Sequence, residues 1–170
     1  MSEITLPPRK NKNTKIVIRK TPNGDSRTKM DNATREMVHD DMMEHIKDVQ
    51  KGMNWLAKKI ALAGFNHDKT KVIYEDEYID LVMNDVKDDE FIASEWWSKH
   101  IHEERHHLNN NAPADVNLID VMEMITDYVM SGKGRKGCID SNDLKLMDPL
   151  LLERAYWNTV KLLDDQVIVR

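Results

Sequence analysis

Helical periodicity limits the fold of this chain more than any other feature. From about residue 33 onward, apolar side chains recur at intervals of three and four, and alternation with a period of two is nearly absent. Spacing of this kind places apolar residues on one face of a helix, whereas period-two alternation is typical of strands. The pattern therefore predicts an all-α fold. The main helices are expected at about 33–64, 75–86, 89–107, 114–130 and 149–163.

Charge is distributed unevenly along the chain. Residues 1–30 contain eight Lys or Arg and two acidic residues, a net charge of +6, whereas residues 31–170 have a net charge of −11. A chain of 170 residues fits one domain, so we expect a flexible basic arm over 1–30 and one helical domain over 31–170. The arm could bind nucleic acid, but it has no aromatic side chain for base stacking, and a solvated tail or an arm folded onto the acidic body explains it better. Within the arm, residues 15–19 could form a short strand.

Several classes of protein are excluded by composition. Cys138 is the single cysteine, so the chain has no internal disulfide and no Cys-rich zinc site. No apolar run approaches the roughly 18 residues that a membrane span needs. Residues 1–30 also lack the apolar core of a secretion signal. These features lead us to expect a soluble, cytoplasmic protein.

Histidine and carboxylate side chains gather in three stretches. The first is 67–71, with the sequence His-Asp-Lys-Thr-Lys; the second holds four of the seven histidines; and the third is an acidic series on the fourth predicted helix. Imidazole and carboxylate suit Zn, Fe, Mn and Co, and several helices that each present one or two inward ligands can build a metal site. The candidate residues, including one histidine on the first predicted helix, are His45, His67, Asp68, His100, His102, His106, His107, Asp120, Glu123 and Asp127.

Each stretch also has a purely structural interpretation. His45 lies on an apolar stripe, where a histidine usually belongs to the core. Asp68 could cap a short helix, and the histidine run has charged neighbours, so it could be a solvated face. The acidic series could be the wet side of its helix, but it occupies a narrow strip of an otherwise apolar helix, which is typical of burial on most sides. A buried carboxylate strip needs a compensating cation, either a metal or the basic side chains just beyond the helix.

The order of these residues resembles the HD superfamily of metal-dependent phosphohydrolases. In that superfamily the pattern H…HD…D supplies a metal site, and here His45, the pair His67-Asp68 and a later aspartate follow that order. The segment 67–71 is similar to the HDxxK form of the motif, and the paired histidines at 106–107 are similar to extra ligands of the bimetallic branches. The resemblance covers about residues 38–130 and implies an HD-like helical bundle. The ligands that it implies for one or two ions of Mn, Fe, Co or Zn are His45, His67, Asp68, His100, His106, His107 and Asp127.

Two aspartates of the fourth predicted helix compete for the last position of the HD pattern. Asp127 is preferred to Asp120, because the sequence Ile-Thr-Asp-Tyr around it is similar to the context of the last HD ligand. The Gly-Tyr-Pro signature of cyclic-dinucleotide phosphodiesterases is absent. The resemblance therefore does not imply that particular substrate.

Hydrolysis of a phosphate ester is the function that the resemblance implies, with a nucleotide as substrate. A nucleoside monophosphate, a cyclic nucleotide and a dinucleotide all fit. The metal would hold a water, lower its pKa and polarise the phosphoryl oxygen, with Asp68 at the metal and Glu123 or Asp120 as the base. Lys71 would contact the phosphate, and Trp97 could stack on a base. The candidate substrate-binding residues are Lys71, Lys69, Arg105, Lys133 and Trp97.

Two other functions stay open on the sequence. Some HD-like proteins with a His-rich pair of irons are oxygenases, and the same ligand set could hold two irons. A binding protein with a vestigial metal site is the other alternative. The expected partner is a small phosphorylated molecule rather than a membrane, and a homo-oligomer through the first and fifth predicted helices is also open.

Overall fold

The computed structural model describes residues 15–20, 32–139 and 147–170. Helices dominate this part of the chain, which confirms the predicted all-α class. Of the arm expected over 1–30, residues 1–14 and 21–30 lie outside the described residues. The elements in chain order are β1 (Ile16–Ile18), α1 (Arg35–Asn66), α2 (Lys69–Ile73), α3 (Glu75–Met83), α4 (Asp88–Ile92), α5 (Glu95–Glu103), α6 (Leu118–Lys136), α7 (Pro149–Asp164) and β2 (Val167–Val169).

The helix expected over 89–107 is divided into α4 and α5. Ser94 begins α5 as its N-cap, because its hydroxyl accepts a hydrogen bond from the backbone N–H of Trp97 at 3.0 Å. The helix then ends where Glu104 adopts extended backbone angles, φ −90° and ψ 117°. Residues 106–107 therefore lie in a non-helical segment. In such a segment the side chains of two consecutive histidines can face the same neighbouring side chain.

The helix expected over 114–130 begins and ends later than predicted. It starts after Asn117, whose side chain forms a capping box with Asp120, so both side chains satisfy backbone N–H groups at the free end of α6. It ends at Gly137, which has a positive φ of 73° that glycine adopts without strain. These bounds place all three residues of the acidic series, Asp120, Glu123 and Asp127, within α6.

The chain divides into two compact units, and the division lies inside α1. The first unit comprises Met1–Gly52 and Asp165–Arg170. Its strands β1 and β2 pair in parallel, with Ile16 opposite Val167. The strand expected over 15–19 is thereby confirmed, whereas its C-terminal partner was not predicted.

The second unit, Met53–Asp164, contains the principal apolar core and the candidate metal centre. Its core forms where α6 and α7 pack together with the segment that follows α5. Within the described ranges, no helix has both the length and the apolar character needed to cross a membrane. The buried core residues are Leu108, Val116, Val121, Met124 and Ala155.

Candidate metal centre

The turn between α1 and α2 places His67 and Asp68 at the centre of the candidate site. Asp68 has a left-handed backbone conformation, with φ 54° and ψ 29°, which aspartate tolerates better than most residues. Although it occupies the N-cap position of α2, its side chain makes no capping hydrogen bond to that helix. The capping interpretation is therefore wrong, and the carboxylate points instead toward the histidines of the following elements.

Four imidazole rings gather around the carboxylate of Asp68. The Nε2 atoms of His100 and His106 each lie 3.6 Å from its Oδ1 atom. The Nε2 atom of His67 lies 3.5 Å from the other oxygen, Oδ2. The ring of His107 completes the group, with its Nε2 atom 2.8 Å from that of His100. Two ring nitrogens this close either share a proton or face a common cation.

Glu123 on α6 lies next to two of these rings, on the side of their Nδ1 atoms. Its Oε1 atom lies 3.1 Å from Nδ1 of His67 and 3.3 Å from Nδ1 of His106. An ionised carboxylate can only accept hydrogen bonds, so the ring of His67 carries its proton on Nδ1. Nδ1 of His106 is buried and has no hydrogen-bond partner among the described residues. The Nε2 lone pair of His67 is then directed toward Asp68, which leaves it available to a metal.

A second polar chain orients His100. The backbone N–H and the hydroxyl of Thr70 both donate to Oε1 of Glu104 at 2.7 Å. This hydrogen bond uses the single hydroxyl proton of Thr70. The hydroxyl oxygen therefore accepts the Nδ1–H of His100 at 2.7 Å. Thr70, Glu104 and His100 are all buried, so this arrangement leaves the Nε2 lone pair of His100 facing Asp68.

Burial keeps two of the histidines, His100 and His107, in the neutral form that can bind a cation. For His106, burial alone would lower the pKa, but the neighbouring carboxylates, Glu123 first, raise it. Burial lowers the pKa of His100 to about 3, and burial together with His106 lowers the pKa of His107 to about 4. For Asp68, burial alone would raise the pKa, but the hydrogen bond and charge of the Lys71 ammonium, together with His67 and His100, outweigh it and the pKa is lowered. Neutral imidazoles and an ionised carboxylate are the states in which these groups act as ligands.

Asp68 and the four histidines around it form the cluster of this site. A buried carboxylate oxygen without a hydrogen-bond partner indicates that this cluster suits a cation. Within the described part of the chain, Oδ1 of Asp68 is buried and accepts no hydrogen bond. Leaving such an oxygen unsatisfied is costly, and a cation among the three nearest imidazoles would satisfy it. Two sets of side chains have ligand atoms within 4.8 Å of one another. They are Asp68, His100, His106 and His107, and His67, His106 and Glu123.

Aromatic rings form one wall of the centre. Trp96 is buried and stacks on His100, with ring centroids 4.8 Å apart and planes at 14°. Trp97 lies edge-on to His107 at 5.5 Å. Packing of this kind fixes the imidazole planes. Core packing therefore accounts for Trp96. Trp97 contacts the histidines directly.

The structure brings six of the candidate residues together, and Asp127, His45 and His102 are not among them. Asp127 lies at the edge of the cluster, with Oδ1 3.6 Å from Nε2 of His67. His45 is an exposed residue of the first unit and belongs to neither set of ligand atoms. His102 is exposed and contacts the carbonyl of Ser98.

Asp120 and Arg105 contact each other instead of the cluster. The guanidinium donates from Nε and Nη2 to the two carboxylate oxygens, each at 2.8 Å. Asp120 is also the N3 residue of the capping box, and it is buried. Because both of its oxygens are used, we assign Asp120 no role as ligand or base and Arg105 no role in substrate binding. Lys69 and Lys133 are exposed to solvent, and we assign neither of them a role at the cluster.

Thr70 and Glu104 were missed as functional candidates. Thr70 stands inside the HDxxK segment, and Glu104 stands in the charged run that was interpreted as a solvated face. The signal that could have identified them is their position next to predicted ligands, since ligating histidines usually donate their second N–H to a fixed partner.

Replacing Thr70 by valine is expected to weaken metal binding by about 10- to 100-fold, as for other residues that orient a ligand. Valine has nearly the same shape but cannot accept the proton of His100 Nδ1 or donate to Glu104. Titration with Co²⁺, followed by visible absorption, measures the affinity. Thr70→Ser keeps the hydroxyl and should retain wild-type affinity, while an unchanged affinity in Thr70→Val would show that the orienting chain is dispensable.

Comparison with protein families, with curated proteins and with solved structures finds no match to this chain.

Proposed function

We propose that the chain is a metal-dependent phosphohydrolase that acts on a nucleotide phosphate ester. The observation that carries this proposal is the partly buried Asp68 carboxylate, which is surrounded by imidazole Nε2 atoms and has a buried oxygen without a partner among the described residues. A lysine ammonium lies next to the same carboxylate. Imidazole and carboxylate together are a ligand set that suits transition metals.

The two oxygens of Asp68 divide the candidate ligands into two groups. Oδ1 faces His100 and His106, whereas Oδ2 faces His67, beside which Asp127 lies. This division suits two ions as well as a single ion, for which Asp68 and the histidines would be the ligands. The metal would supply a Lewis acid for the phosphoryl oxygen and would lower the pKa of a bound water. The ligands of the first group also include His107.

Lys71 is the residue that we assign to the substrate phosphate. It lies one turn after Asp68 in α2, and its ammonium contacts Oδ2 of that carboxylate. The side chain is about one-third exposed, at 32%, so a phosphate can reach the ammonium from solvent. A fixed positive charge at this position stabilises the negative charge that grows on the phosphoryl oxygens in the transition state.

Glu123 serves as an orienting group rather than as the base. One of its oxygens already faces the Nδ1 atoms of His67 and His106. A general base must reach the proton that it abstracts, and this oxygen is directed at ring N–H groups instead. The function that we propose for Glu123 is therefore to hold the ring of His67 in the ligating tautomer and to place a negative charge beside His106.

The proposal is tested by measuring metal content and phosphate release on the same protein. Elemental analysis of purified protein should find Mn, Fe, Co or Zn, and one or more nucleotides of a panel should release phosphate when metal is present. Metal chelation should stop the reaction, and added metal should restore it. Oxygen uptake without phosphate release would contradict hydrolysis and favour the oxygenase alternative, while absence of both metal and turnover would favour a binding protein.

A further inference from the structure

A second feature of the same unit is an apolar cavity of about 250 Å³ beside the cluster. It lies between the C-terminal part of α1 and the exposed face of α6. Complete ligand pockets usually measure roughly 300–1,000 Å³, so this cavity fits one part of a small molecule. The apolar part of its lining is formed by Ile60, Ala63, Gly64, Ile119, Met122 and Met130.

The polar groups of the cavity are hydrogen-bond acceptors. Glu123 and Asp127 present carboxylate oxygens. The hydroxyl of Thr126 donates its proton to the carbonyl of Met122 at 2.7 Å, so its lone pairs are what remain for a ligand. The Nδ1 atom of His67 faces Glu123. An occupant that offers N–H donors is complementary to this lining.

Charge determines which part of a substrate the cavity can take. Two carboxylates lie at its edge, and the described residues contribute no lysine or arginine to its lining, so it would repel a phosphate group. The ammonium of Lys71 lies on the Asp68 side of the cluster instead. A phosphate ester whose phosphate lies near Asp68 and Lys71 would therefore place its uncharged end in the cavity.

We propose that this cavity is the subsite for an amino-bearing nucleobase of the substrate. The inference rests on the proposed function for the position of the phosphate. Burial of the ring against isoleucine and methionine side chains supplies affinity, and the acceptor lining selects bases that carry an exocyclic amino group. The two methionines adapt their shape to a flat occupant.

Gly64 allows a direct test, because it lines the cavity and has open space at the position of a Cβ. Apart from the glycine itself, its two chain neighbours and the adjoining helix backbone, no atom of the described chain lies within 4 Å of the position that its Cβ would occupy. Gly64→Leu should therefore fill the cavity without strain, and it replaces glycine inside a helix by a better helix former. Gly52→Leu is the matched control, since Gly52 lies in the same helix, also has open space at its Cβ and does not line the cavity.

Binding of nucleosides separates this inference from the proposed function, because a nucleoside carries no phosphate. We expect adenosine, cytidine or guanosine to bind at least about tenfold more tightly than ribose by ligand-observed NMR, which corresponds to about 1.4 kcal/mol. Gly64→Leu should remove this preference, and Gly52→Leu should keep it. Thr126→Val, which is nearly isosteric, should weaken binding of the preferred nucleoside by about two- to tenfold.

The inference is overturned if none of the three nucleosides binds better than ribose, or if the preference survives in Gly64→Leu. Phosphate release without any nucleoside preference would support the proposed function and reject the subsite. Nucleoside binding that is lost in Gly64→Leu, without phosphate release from any nucleotide, would support the subsite and reject the proposed hydrolysis.

Discussion

Asp68→Asn is expected to abolish both metal binding and turnover. Asparagine keeps the shape of the side chain and tolerates the left-handed backbone at this position, φ 54°. It loses the negative charge that faces the imidazoles of His67, His100 and His106. Metal content should fall to background, and phosphate release should fall to the rate without enzyme.

Thermal unfolding measures the same loss without an activity assay. At a free metal concentration about 100 times the Kd, binding stabilises the folded state by about 2.7 kcal/mol. For a chain of this size, that corresponds to a rise in Tm of about 5–10 °C. The wild-type protein should show this rise when Mn²⁺ or Co²⁺ is added, and Asp68→Asn should show none.

Asp85→Asn is the matched control for Asp68→Asn. Asp85 also has a positive φ, 49°, and it is exposed and belongs to neither set of ligand atoms. The same chemical change in the same backbone conformation should therefore leave metal binding unaltered. A metal-dependent rise in Tm that persists in Asp68→Asn would contradict the proposed centre.

Local signals made much of the fold predictable. Helices α1, α3 and α7 lie within about three residues of the positions that apolar spacing indicated. The division between α4 and α5 was missed because the apolar spacing continues across Ser94, whose capping hydrogen bond starts a new helix. Helix α2 has only five residues, which is too few for periodicity to be read. Strand β2 depends on pairing with β1, a contact between the two ends of the chain that no local pattern reports.

The candidate site was predictable where residue type alone carries the chemistry. The pair His67-Asp68 does lie close to the histidines at 106–107, as the order of these residues along the chain suggested. The pairing of Arg105 with Asp120 could not be predicted, because it joins residues 15 apart through the geometry of a capping box. Thr70 acts through a hydroxyl hydrogen bond, and the direction of that bond follows only from the position of Glu104. Orientation, rather than residue type, is what the sequence leaves undetermined.

Lys71→Gln is expected to lower kcat by about 100- to 1,000-fold while the metal is retained. Removal of one fixed donor that stabilises transition-state charge usually costs this much. The ammonium contacts Asp68 and is therefore positioned at the proposed centre, but it cannot ligate a cation. Metal affinity should consequently stay the same or rise slightly, because a positive charge next to the ligand carboxylate has been removed. Measurement of kcat and of Co²⁺ affinity on the same preparation separates the two effects.

Lys51→Gln controls for the loss of a lysine–aspartate pair as such. Lys51 pairs with Asp48 at the same sequence spacing, with Nζ 2.6 Å from Oδ1, in the first unit of the chain. Its replacement should leave kcat unchanged, and Lys71→Arg should restore part of the activity because it keeps a positive charge. If Lys71→Gln lost metal and activity in equal proportion, the role of Lys71 would be to position Asp68. An unchanged kcat would instead remove Lys71 from the proposed mechanism.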